Sequence, residues 1–76
     1  MNNINASVAS LQSLGFGNSY IIDGLKAAIN DCQRFIDKEF GRNASLRPER
    51  DQQYLDYCIS HKAALEQKIA ELIANA

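Results

Sequence analysis

Two apolar stripes with heptad-like spacing, separated by the turn-rich segment Gly41 to Arg47, constrain this chain more than any other feature. The first runs Ile22, Leu25, Ile29, Cys32, Ile36 in alternating steps of three and four, and the second runs Leu55, Cys58, Lys62, Leu65, Ile69, Leu72, Ala76, broken once by the lysine. Spacing of this kind gathers the residues on one side of a helix, where they meet the equivalent side of a neighbour. Ile21, Ala28 and Phe35 widen the first stripe, and Ile59 and Ile73 the second. Valine occurs once and threonine never, so the β-branched residues that usually mark sheets are scarce. The expected fold class is all-α: a long antiparallel helical hairpin with a short N-terminal helix, pairing into a dimeric four-helix bundle. Its core or dimer positions are Ile22, Leu25, Ile29, Cys32, Phe35, Ile36, Leu55, Cys58, Ile59, Leu65, Ile69 and Leu72.

Residues 1–76 are expected to form a single helical domain. Met1 to Asn5 is polar and expected to fray. A short helix over about residues 4–14 follows from Ile4, Val8, Leu11 and Leu14, and Gly15 stands where a left-handed C-terminal cap belongs. Phe16, between two glycines, is expected to fill a slot between helices. Asn18 or Ser19 is placed to cap a helix over about 19–40, in which Gly24 costs roughly 1 kcal/mol relative to alanine. Gly41, Asn43 and Ser45 supply turn chemistry, and Pro48 fits the first position of a helix over about 48–75. At 1.5 Å per residue the two arms measure roughly 33 and 40 Å. One arm cannot cover the full apolar width of the other, so the N-terminal helix or a second chain must cover the remainder.

Small chains bury a small fraction of their surface, and 76 residues make this a pressing matter. Unusually regular helix packing or a second copy is the expected remedy, because two cysteines make no disulfide framework. No charged start is joined to an apolar run, and the longest apolar stretches fall far below the roughly 20 residues that span a bilayer. A soluble, cytoplasmic protein with no membrane partner is expected. Eight basic and nine acidic side chains leave a net charge of -1, which argues against a protein devoted to neutralising phosphates and also against a nucleic-acid mimic. The charge is uneven, however: residues 34–50 carry Arg34, Lys38, Arg42, Arg47 and Arg50 against Asp37, Glu39 and Glu49.

Catalytic chemistry finds little support. Cys32 and Cys58 are nearly symmetric about Ser45, which invites a disulfide, but packed helix axes stand about 8 to 10 Å apart while a disulfide wants Cα atoms within roughly 7 Å. Two small buried thiols are the expectation. His61 lies one turn beyond Cys58, yet a single C-x-x-H pair with Cys32 opposite falls short of the four ligands of a structural zinc site. Asp37 with Glu39, and Glu66 with Glu71, do not share a helix face and read as solvated charges. The glycines form no phosphate-binding pattern. No enzyme activity, metal or cofactor is expected.

The arginine-rich tip is the candidate surface. Arg42, Arg47 and Arg50 with Lys38 suit a carboxylate cluster or a phosphate, and Tyr54 and Tyr57 lie just beyond. Arginine with tyrosine is the composition enriched in protein–protein hot spots. The function expected is a non-enzymatic interaction module, a homodimer that occludes or bridges a protein partner. The alternative is a small nucleic-acid-associated regulator using the tip; net charge and the absence of interleaved aromatics weigh against it. In general profile the chain resembles the small accessory or inhibitory proteins that bacteriophages and mobile elements encode to bind one host protein. That resemblance is one of class, rests on no particular residues, and implies a host enzyme or regulator as partner.

Overall fold

The computed structural model describes residues 3–75, and every regular element among them is helical. Helix α1 spans Asn3–Ser13, α2 Asn18–Phe40 and α3 Glu49–Ala74, with a single 3₁₀ turn, Ala44–Leu46, between α2 and α3. Helices α2 and α3 pack on each other along their length as an antiparallel hairpin, and α1 lies against both. The rod measures 46 × 21 × 17 Å, close to the roughly 39 Å of α3 alone in its long dimension. It is two helix layers thick at most.

The α1 boundaries follow from its ends. The helix begins at Asn3 rather than fraying through Asn5, because Ile4 is already buried. Met1, Asn2 and Ala76, the last stripe residue, lie outside the described residues. At the other end Gly15 adopts φ +91°, the Phe16 N–H donates to the Leu11 carbonyl (3.1 Å) and the Gly15 N–H to that of Gln12 (3.0 Å). This pair of bonds is the Schellman cap, and the left-handed conformation it needs is open to glycine without steric cost.

Two expectations fail at the start of α2. Neither Asn18 nor Ser19 caps it: both sit inside the first turn, Gly17 occupies the cap position without any side-chain bond, and the Ile21 N–H donates to the Gly17 carbonyl at 3.2 Å. Phe16 enters no slot between helices. It is exposed and stacks on Tyr20 instead, with ring centroids 4.7 Å apart. Phe16 lies just outside α2, next to the extended Gly17 cap, and from there its ring reaches Tyr20 in the first turn. At α3 the cap is Pro48 itself, one residue earlier than the first-turn position expected, and Glu49 and Asp51 bring negative charge to the first turn.

Cys32, Ile36, Leu55, Cys58, Leu65 and Leu72 are buried with Ile4, Val8 and Ile21 in one cluster; Ile22, Leu25, Ile29 and Phe35 pack partly buried against it. Ile69 is half-buried, and Ile59, expected with them, is exposed. Its place lies a quarter turn off the seam. Cys32 and Cys58 meet in the core as free thiols. Burial first, and then the nearness of Cys58, raise the Cys32 pKa above the ordinary thiol range.

Two outcomes follow for stability. A methyl group at Gly24 meets nothing within 4 Å, so Gly24→Ala should stabilise by about 1 kcal/mol and raise Tm by about 4–8 °C; an unchanged or lower Tm would show that the glycine serves another element. A thiol held protonated by the fold contributes stability below its unfolded pKa and loses it as pH rises through the raised one. Melting curves should therefore fall on alkaline titration above about pH 8.5, and Cys32→Ala should flatten part of that fall.

Candidate functional site

The tip is organised around a buried charge. Glu39 is 0 % exposed, so it is not the solvated carboxylate its sequence neighbourhood suggests. The reason is the stripe: Ile22, Leu25, Ile29, Cys32, Ile36 continue by the next step of three to Glu39, which places it on the inward face of α2. Read backwards, the α3 stripe arrives in the same way at Asp51. Two carboxylates thus close the seam at the tip, and arginines from the turn neutralise them.

Arg42 donates through Nη1 to both Glu39 carboxylate oxygens (2.9 and 3.1 Å) and to Asp51 Oδ2 (3.1 Å). The Asp51 hydrogen bond and the Glu39 charge raise its pKa further above an already high value. Arg47 turns inward, its side chain 7 % exposed. It donates to the Glu39 carbonyl (2.7 Å) and to Gln52 Oε1 (2.6 Å), while its Nε stands 3.8 Å from the Glu39 carboxylate. The turn between them is fixed by Asn43, whose Oδ1 accepts from the Ser45 N–H (3.1 Å) and hydroxyl (2.8 Å).

This changes the expected surface. Arg47 presents no guanidinium to a partner, and Arg42 is held between two carboxylates. Arg50 and Lys38 remain outward, Arg50 with only a loose 3.8 Å pair to Asp51. Beyond them lies a feature that residue spacing alone left unassembled. Phe35 meets Tyr54 edge-on (4.7 Å, 78°), Tyr54 stacks with Tyr57 (5.9 Å, 21°), and Tyr57 stacks with His61 (5.0 Å, 14°). Tyr54 and Tyr57 are 52 % and 54 % exposed. The nearness of Cys58, electrostatically and through a hydrogen bond, and then burial raise the Tyr54 pKa above the ordinary phenol range.

Arg50, Tyr54, Tyr57 and His61 recur in steps of four, three and four, hence on one face of α3, and Phe35 and Lys38 share a face of α2. The result is an aromatic stripe running from a basic end near the tip toward the middle of the hairpin. Ala64 and Lys68 extend the same α3 face, but there α1 has arrived: Asn5 lines a depression with Ala64, Gln67, Lys68 and Glu71. At 11 residues α1 is about 16 Å long. It is too short to cover the ladder as well.

Among the described residues no group of three or more His, Cys, Asp or Glu side chains is placed to hold a metal ion. Among the same residues no helix is long and apolar enough to cross a membrane. No family model matches the chain, and no curated protein or solved structure shows significant similarity to it.

Removing Glu39 leaves the inward Arg47 charge without its carboxylate. Glu39→Ala should therefore cost about 3–5 kcal/mol, whereas Asp51→Ala, at a more exposed position, should cost about 1 kcal/mol or less. Urea midpoints read both, and the opposite order would show that Asp51 is the anchor.

Proposed function

We propose that the chain is a non-enzymatic, cytoplasmic interaction module that works as a homodimeric four-helix bundle and binds one partner protein through its aromatic and basic flank. It acts by occluding the partner's working face or by bridging two partners. The observation that carries this reading is the ladder of Tyr54, Tyr57 and His61, its two tyrosines exposed, ending beside Lys38 and Arg50. Large rings held in place by their neighbours give contact area at little entropic cost, and basic side chains at one end favour an acidic segment of the partner. By its class resemblance to phage-type and mobile-element inhibitors, that partner is a host enzyme or regulator.

The ladder also gives the nucleic-acid reading an observation in its favour, since exposed aromatics adjoin basic residues here. Its geometry favours protein nonetheless. Ring centroids 5.0 and 5.9 Å apart leave no room for a base, which needs about 3.5 Å on each of its faces. Edges, not stacking platforms, are offered to a ligand.

Capture on the immobilised chain from host lysate should identify the partner, and titration with that purified partner tests the site. Tyr57→Ala and the pair Lys38→Glu with Arg50→Glu should each weaken binding by at least about 30-fold with unchanged helicity. Wild-type affinity in both variants would remove the flank as the site, and failure to capture a stoichiometric protein would count against the module itself. Retention of a single-stranded oligonucleotide at physiological salt would transfer the flank to the second reading.

A further inference from the structure

The flank of the hairpin away from α1 and the ladder carries a groove of about 370 Å³ between α2 and α3. Gln33, Ile36 and Phe40 line it from α2, and Ile59, Lys62, Ala63 and Glu66 from α3. Phe40 is 69 % exposed, and Ile59 and Ile73 along the same side are exposed too. Within this apolar lining stand two charges, Lys62 and Glu66. Among the described residues neither makes an ion pair or a side-chain hydrogen bond, whereas Glu39, Arg42, Arg47 and Asp51, which close the seam at the tip, are all paired.

We propose that this groove receives a second copy of the chain, with α3 antiparallel to α3 of the partner subunit about a two-fold axis beside Ala63, midway between Lys62 and Glu66, and with Lys62 exchanging ion pairs with Glu66 of the partner subunit. The inference rests on the dimer proposed above and assigns its face and register. Two observations support it. The charges are self-complementary: a two-fold axis between them brings each lysine to the other chain's glutamate, twice over. Lys62 is the one residue that interrupts the α3 stripe, and a single polar residue at a seam position is the device by which helical assemblies fix register and copy number at some cost in stability. The small side chain of Ala63 lets the two backbones approach, and the same register sets Ile59 against Ile69 of the partner subunit.

Sedimentation equilibrium or light scattering over a concentration series tests both levels. The native chain should be a dimer; a monomer throughout would overturn the dimer and this face together. Lys62→Glu and Glu66→Lys, which leave the protomer core untouched, should each raise the dimer dissociation constant at least about 100-fold, because symmetry doubles every like-charge contact. The two single variants, mixed, should form a 1:1 heterodimer, and the Lys62→Glu, Glu66→Lys double variant should return to within about tenfold of the native value. A native dimer that survives both single variants, or is lost in both without rescue by mixing, would place the interface elsewhere while leaving the dimer standing.

Discussion

The carboxylate of Glu39 sits where the heptad stripe of α2 meets the turn, and the hairpin depends on how that charge is met. A buried carboxylate is tolerated only when paired and hydrogen-bonded. Its partners come from outside α2: Arg42 from the first residues of the turn, Arg47 from its end. The path of the turn is therefore drawn by the charge, and Arg42 carries the constraint into α3 through Asp51. Two apolar stripes of period three and four fit one another in several alignments. Sliding α3 by one heptad would carry Asp51 about 10 Å from Arg42. Of those alignments the clamp selects the one that also brings Cys32 level with Cys58.

Once the arginines are committed to the fold, the tip has little left to offer a partner, and the outward chemistry moves to the flanks. One flank is shared between α1 and the ladder. The shortness of α1 leaves Tyr54 and Tyr57 exposed and His61 half-buried, while Ala64 and Lys68 lie beside Asn5. The other flank is uncovered throughout. A three-helix chain of this size has too little material to cover two long helices on both sides, and what it leaves bare is aromatic on one side and isoleucine-rich on the other.

Much of this architecture is legible in the sequence. Periodicity places all three helices within one or two residues of their observed ends, and Gly15 announces its own cap. The inward acids were legible too, since Glu39 and Asp51 fall on the continued stripes; a charged side chain at a seam position is readily taken for the end of the stripe rather than part of it. Arg47 was not legible. Its burial depends on where the Glu39 carbonyl lies after a turn of several residues, and no local spacing encodes that. The ladder was legible in part: Tyr57 and His61 are four apart, but Phe35 joins from another helix, and only the register fixed at the tip sets it against Tyr54. Phe16 shows the reverse case, where a local partner, Tyr20, took a ring for which a tertiary slot was expected.

The two flanks are also set apart by α3 itself. Tyr57, His61 and Ala64 follow one row of the helix, and Ile59, Ala63 and Glu66 follow another displaced by two residues, about 200° around the axis. A chain that pairs through the second row therefore keeps the first on its outside. In the proposed dimer two equivalent ladders face away from each other, each with its own basic end. Occlusion needs only one of them, whereas bridging needs both at once. Their separation is then fixed by the register that Lys62 and Glu66 impose, so the residues that set the dimer also set the distance over which two partners can be held.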